Sequence, residues 1–300
     1  MWLMYVIGIS AGGIWGITFS LARIATEAGM HPLGLAWWQA AGGGVLNICI
    51  CLFAGIRRKN IVQLLWPMTV IGFCGSVVPG TLLFYAALHV PAGILAIAIA
   101  MTPMLTYLAS VVLNLEPFRS KRITGVLLGF FAIVLIMQPG NVESLQGSGT
   151  SGVIFWIALA LLSCCFYTIE NVYVDKKIPD DVYMPLLLGG GMLSAALLML
   201  PFVVASGAWV SLTWPVDKAE GSVIAMILAS GSAYLMYLIL IRKAGAVFAS
   251  LTGYVVTLSG VFWGIVFFAE SHSHWIWLAL VLMIGGMILV TPRTDKQQST

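Results

Sequence analysis

Apolar runs of about twenty residues recur along the chain, separated by short clusters of charged, glycine, proline and serine positions. Ten such runs stand out, at residues 3–22, 33–54, 64–88, 91–113, 122–138, 152–174, 183–206, 221–241, 244–268 and 274–291. Each has the length a helix needs to cross the hydrocarbon layer of a bilayer. The pattern therefore predicts an all-α integral membrane protein of ten transmembrane helices. Ten spans of this length use roughly 200 positions, which leaves no connection long enough for a folded aqueous domain.

Composition narrows the function. Hydrophobic residues make up 60% of the 300 positions and charged ones 8%, where soluble chains carry about half apolar and about a quarter charged residues. The mean hydropathy of +1.02 agrees. Soluble enzymes, nucleic-acid readers and secreted disulfide scaffolds are excluded, and the expected partners are the lipid bilayer and a small molecule. No enzymatic activity is expected. The five cysteines (Cys49, Cys51, Cys74, Cys164 and Cys165) all fall inside apolar runs, with no spacing that suggests a metal or cofactor.

Charge placement orients the chain. One set of connections holds twelve of the fourteen Lys and Arg residues: Arg57, Arg58, Lys59, Arg119, Lys121, Arg122, Lys176, Lys177, Arg242, Lys243, Arg293 and Lys296. The alternate set holds Arg23 and Lys218. Cationic connections stay cytoplasmic, so both termini are expected in the cytoplasm. The first run lacks a basic leader and is expected to remain as a helix. Trp2, Trp37, Trp38, Trp66, Trp156, Trp209, Trp214, Trp275 and Trp277 fall near the ends of runs, the level indole prefers; Trp15 and Trp263 lie deeper.

The two halves of the chain resemble each other. A shift of 152 places Tyr85 on Tyr237 and Gly93 on Gly245, a two-residue slip places Glu116 on Glu270, and Pro139 then answers Pro292. The repeat divides the chain into residues 1–145 and 150–300, each with five spans. Because five is odd, the second copy enters the membrane from the opposite face, and such inverted repeats place substrate near the midplane between them.

At this point the chain resembles a family. A Trp-Gly-x-Thr-Phe run occupies Trp15 to Phe19, Tyr85-x-x-Leu88 closes the third span ahead of a Pro-Ala-Gly turn at 91–93, Pro103 lies in the fourth span, and Glu116 ends it. With ten spans in two inverted halves, these features are similar to the drug/metabolite transporter superfamily and its ten-helix EamA-type exporters. The resemblance implies a basket of helices 1–4 and 6–9 around a central cavity, with helices 5 and 10 outside it. It also implies alternating access and export of amino acids or similar metabolites from the bacterial cytoplasm across the inner (plasma) membrane. The sixth span departs from the repeat, reading Phe166-Tyr167-Thr168-Ile169-Glu170 where the first has Trp-Gly.

The residues themselves refine this picture. Glycine stripes at Gly8, Gly12 and Gly16, at Gly125 and Gly129, and at Gly260 and Gly264 suit close helix packing or a sliding surface. Pro79 with Gly80, and Pro103, are candidate hinges or simple sources of curvature. Glu170 lies about 27 Å beyond the outer start of its span at 1.5 Å per residue, which predicts a position near the cytoplasmic interface. There it is either a snorkelling acid beside Lys176 and Lys177 or a residue at the cavity mouth with Asn171. Glu116 and Glu270 are candidate gating or structural residues. With no acid or base expected at mid-depth, the substrate is predicted to be neutral or zwitterionic and the transport a facilitated flow without strong proton coupling. Candidate cavity residues are Trp15, Thr18, Phe19, Tyr85, His89, Met101, Thr102, Tyr167, Tyr234, Tyr237, Tyr254 and Trp263, since rings stack on apolar ligands and hydroxyls bind an amino-acid backbone. The expected substrate is an amino acid, aromatic ones favoured. Efflux of hydrophobic drugs is the alternative, and a scaffold or sensor without flux is a third reading. A monomer is favoured.

Overall fold

The computed structural model of the chain describes residues 2–54, 61–90, 95, 98–136, 150–179, 181–269 and 273–289, and among these there is no β-strand. Two long helices begin the fold, α1 (Trp2–Glu27) and α2 (Pro32–Phe53). They are joined at a turn where Gly29 takes φ +86°. His31 then caps α2, its Nδ1 accepting from the Leu33 amide at 3.2 Å. Among the described residues, seven helical stretches are long and apolar enough to cross a membrane: Trp2–Glu27, Pro32–Phe53, Ile61–Ala86, Ile154–Lys177, Met184–Ala205, Lys218–Ala244 and Ala246–Phe268. Three shorter helices, α5 (Thr102–Val112), α6 (Ser120–Ile136) and α12 (His274–Leu289), fall on the expected fourth, fifth and tenth spans.

The third crossing is not a uniform helix. After a 3-10 turn (Ile61–Leu64) come α3 (Leu65–Gly72), a π-helical turn (Phe73–Val77) and α4 (Val78–Ala86). The cause is local. Pro79 has no amide hydrogen, and its ring crowds the carbonyl four residues back, at Gly75. The ladder loosens there, and the Val78 amide reaches back five residues to the Phe73 carbonyl.

The fourth and ninth crossings are broken too. Pro103 lies in the first turn of α5, so it starts that helix instead of kinking its middle as expected; Ala98 and Ile99 end the preceding helical stretch. In the second half, α10 (Ala246–Ser250) stops at Leu251 before α11 (Thr252–Phe268) begins. Side-chain hydroxyls occupy carbonyls at both breaks, from Thr102 to Ile99 at 2.7 Å and from Ser250 to Val247 at 2.8 Å.

The remaining long helices are α7 (Thr150–Lys177), α8 (Met184–Ala205) and α9 (Lys218–Ala244). The start of α9 is set by a capping box in which Asp217 accepts from the Ala219 and Glu220 amides and Glu220 accepts from the Asp217 amide. Packing pairs α1 with α9 and α11, α2 with α8 and α9, α3 with α8, and α7 with α4 and α5, while α6 lies against α12. Missing side chains make the closest approaches possible. A Cβ on Gly12 would lie 2.5 Å from Val255 Cβ, and one on Gly16 would lie 2.5 Å from Ser259 Cβ. The stripe on α1 is thus the seat of α11, fastened by Ser259 Oγ donating to the Gly13 carbonyl at 2.8 Å. Large apolar side chains such as Phe53 (93% exposed) and Trp214 (88%) stand outward, as they do where the solvent is lipid.

Arg122, one of the cations assigned to the connections, is buried at the start of α6. Its Nη1 meets Glu116 Oε2 at 3.0 Å, and its guanidinium lies 5.3 Å from the Tyr107 ring centroid. Tyr107 ties the same corner, accepting from the Arg119 amide at 3.0 Å and donating to the Pro117 carbonyl at 3.3 Å.

Candidate functional site

The broken crossings, α1, α2, α4, α7 and α9 enclose a cavity of about 810 Å3 of atom-free space, its open mouth included. From α1 come Trp15, Thr18, Phe19 and Ala22. Gln39 comes from α2, and Gly80, Leu83, Phe84 and Ala87 from α4 and its end. Tyr167 of α7 and Tyr237 of α9 complete one wall. Ile99 and Thr102 flank the first break, and Ser250, Thr252, Gly253 and Val256 surround the second. None of these lining residues is charged. Neither α6 nor α12 contributes.

Trp15 is held by two tyrosines, with its ring centroid 5.5 Å from Tyr234 and 5.6 Å from Tyr237. A smaller, more polar recess adjoins the cavity. It shares Trp15, Gln39, Gly80 and Tyr167 with the cavity and adds Gly75, Ser76, Ser230 and Tyr234 among others. Gln39 Nε2 donates to Ser230 Oγ at 2.8 Å, tying α2 to α9 at the recess. Behind Tyr237 runs a chain of polar groups. Its hydroxyl donates to Asn171 Oδ1 at 2.8 Å, Asn171 Nδ2 donates to Thr106 Oγ1 at 3.3 Å, and Thr106 meets Thr168 at 3.4 Å. The chain closes α5, α7 and α9 together beyond the cavity wall.

Of the candidate residues, Trp15, Thr18, Phe19, Gly80, Thr102, Tyr167 and Tyr237 meet at the cavity, and Tyr234 meets them through the recess. Others do not. Leu83, Phe84 and Ala87 take the cavity face of α4, and Tyr85, turned about 100° from its neighbour, is set edge-on to His31 at 5.8 Å. His89 stacks on Trp156 at 4.2 Å. Met101 packs against the core cluster that holds Met104, Tyr107 and Tyr254. Tyr254, between cavity residues Gly253 and Val256, points into the same core and is 1% exposed. Trp263 lies further along α11, against Phe267 at 5.3 Å. Pro79 is buried above the π turn, and Glu116 belongs to the Arg122 corner. Glu270 lies outside the described residues.

Glu170 requires a correction. It is fully buried and no snorkelling acid: Tyr234 Oη donates to its Oε1, and a Cβ on Gly75 would collide with its carboxyl group. Its partners set its level. Gly75 stands near the middle of the Ile61–Ala86 crossing. On its own helix Glu170 lies seven residues before the end at Lys177, so burial, and not distance along α7, is what overturns the snorkelling reading. Gln39 was missed altogether, although an amide seven residues into an apolar helix is a signal.

A sequence profile of the EamA-like transporter family matches residues 2–138 and again residues 154–291. The chain belongs to this family. Family membership makes it a multi-pass membrane transporter of the drug/metabolite superfamily. Among similar proteins, the uncharacterized inner membrane transporter YedA of Escherichia coli (strain K12) is 24% identical over 283 residues, covering 93% of this chain and 87% of YedA. Protein PecM of Dickeya dadantii (strain 3937) is 25% identical over 285 residues, covering 92% and 88%. A solved crystal structure shares the fold, with a TM-score of 0.70 at 20% identity and 96% of each chain covered.

Within this EamA-like chain the Trp-Gly-x-Thr-Phe run divides by face. Trp15, Thr18 and Phe19 look into the cavity, while Gly16 admits α11.

Proposed function

We propose that the protein exports small neutral or zwitterionic metabolites across the inner membrane by alternating access, and that amino acids with aromatic side chains are its main substrates. The observation that carries this reading is an uncharged cavity with two kinds of wall. Trp15, Phe19 and Phe84 offer ring faces, while Thr18, Gln39, Thr102, Tyr167, Tyr237, Ser250 and Thr252 offer hydroxyl and amide groups. A phosphorylated or otherwise strongly anionic substrate would find no Lys or Arg there, and an unpaired charge away from water is costly. An amino acid carries both signs and can be met by hydroxyls and by carbonyls at the two helix breaks, a known use of discontinuous membrane helices. Ten spans in two inverted five-helix halves suit the packing, because exchanging the first five spans with the last five maps α1–α9 onto α7 with α3–α4, and α1–α11 onto α7–α5.

A second reading, efflux of hydrophobic drugs, is favoured by the largely apolar upper wall of Ala22, Leu83, Ala87 and Val256. Counterflow in proteoliposomes separates the two. Saturable exchange of labelled phenylalanine or tryptophan, with a half-saturation concentration raised about tenfold by Trp15→Ala, a loss of ~1.4 kcal/mol, is the expected result. Movement of hydrophobic amines with no amino-acid exchange would establish the drug reading instead.

A further inference from the structure

We propose that Glu170 is a proton-binding site that couples substrate movement to a proton gradient. The proposal rests on the transport reading above and replaces the facilitated flow expected from sequence, whose premise was that no acid lies at mid-depth.

Four observations support it. Glu170 is fully buried, 0% exposed, at the level of the middle of the Ile61–Ala86 crossing. An ionisable group inside a membrane bundle is expensive to keep and marks function by default. Its carboxyl is half-satisfied: Oε1 accepts from Tyr234, while Oε2 has no hydrogen-bond partner. The titratable groups facing it are Cys74 of the π turn, Tyr167 one turn earlier on α7, and Tyr234 and Tyr237 of α9. No cationic side chain is paired with it among the described residues. Finally, it adjoins the polar recess without lining it, screened by Gly75 and Tyr234, which do line it.

That screen selects the ligand. A substrate ammonium in the cavity would have to pass Tyr234 to reach the carboxyl, and a metal cation would need several oxygen ligands where one hydroxyl stands. A proton needs only a water in the recess and Oε2 as its acceptor. With no side chain at Gly75, the carboxyl sits directly against the π turn made by Pro79, where a Cβ would collide with it. In the cycle, Oε2 takes one proton from the outward-facing recess as substrate departs. The same O–H bond breaks to the cytoplasmic side before the next substrate binds. Tyr234 donates its hydroxyl to this carboxyl and packs its ring 5.5 Å from that of Trp15, so one side chain touches both the proton site and the cavity.

The test uses the full chain in proteoliposomes loaded with a pH dye, with labelled phenylalanine as probe. One-for-one coupling predicts about tenfold accumulation per pH unit imposed, since one unit is 1.36 kcal/mol, together with phenylalanine-driven proton movement. Both should vanish in Glu170→Gln, whose residual exchange is blind to pH, and return in part in Glu170→Asp. Exchange without accumulation under any gradient, or accumulation undiminished in Glu170→Gln, overturns the proposal. If phenylalanine does not move at all, the substrate reading fails by itself. Modification of the wild-type chain by a hydrophobic carbodiimide, which attacks protonated carboxyls, then decides. Labelling of Glu170 that falls as the buffer is made alkaline supports the proton site. Labelling that is absent or unchanged overturns it.

Discussion

Gln39 shows how one polar side chain can define a membrane site. Its amide lines both the cavity and the recess, and its Nε2 is committed to Ser230 Oγ at 2.8 Å. The amide oxygen is therefore the group with capacity left for a substrate ammonium. Sites that hydrogen-bond their ligand reject analogues lacking the matching group, because the buried partner is left unpaired. Gln39→Leu is accordingly expected to weaken exchange of amino acids by roughly tenfold or more, a loss of at least ~1.4 kcal/mol, while leaving binding of purely hydrophobic amines unchanged or stronger. Competition assays with the two ligand classes measure the ratio. An equal loss for both would assign Gln39 to holding α2 against α9 and nothing else. In the sequence the residue carried a readable sign, an amide in an apolar run, shared with Asn47 of the same helix. The orientation of Tyr85 and Tyr254 carried none, because lipid and protein interior are equally apolar and periodicity cannot distinguish the faces of such helices.

At the scale of elements, the glycine stripe on α1 makes a sharp contrast possible within one turn. Gly12 faces Val255 and the Thr252 carbonyl, with a Cβ placed 2.5 and 2.9 Å away, whereas a Cβ on Gly13 would meet nothing within 4 Å. Gly12→Ala therefore forces α1 and α11 apart and should cost about 1–3 kcal/mol. Gly13→Ala should be neutral or gain up to about 1 kcal/mol from better helix propensity. Thermal or denaturant unfolding in detergent checks both, and equal effects would mean that α11 does not sit on this face. The stripe itself was legible, since small residues four apart announce a close approach. The breaks were less so. Pro103 marks the fourth crossing, but whether a proline kinks a helix or begins one depends on the helix start, which hydropathy does not locate. The break at Leu251 has no proline at all, and the Ser250 hydroxyl donates to the Val247 carbonyl beside it. The π turn follows from Pro79 in retrospect, yet its consequence, Gly75 against Glu170, depends on α7 and α9 and could not be read from the third run alone.

For the whole molecule, the burial pattern and the charge pattern have to agree on one orientation. Every connection that carries paired or clustered cations, such as Lys176 and Lys177 at the end of α7, falls on the side assigned to the cytoplasm. The turn after α8, from Ser206 to the Asp217 cap, carries no cation before Lys218. Cavity residues follow the same order. On α1, which starts from the proposed cytoplasmic side, the lining begins at Trp15 and runs outward to Ala22, and on α4 it runs from Gly80 outward to Ala87. The polar chain from Tyr237 to Thr168 lies beyond the other end. On the proposed orientation the cavity is directed toward the cation-poor side and closed by hydrogen bonds toward the cation-rich one, which for the export proposed above is the state that releases substrate. Cysteine labelling tests the orientation on which this depends. In a chain with its five cysteines replaced, Ser206→Cys should react with a membrane-impermeant maleimide on intact cells, and Lys177→Cys should react only after the cells are opened. The reverse labelling would turn the same cavity toward the cytoplasm. The hydrogen-bonded chain would then be the outer gate, and this conformation would be the one that loads substrate.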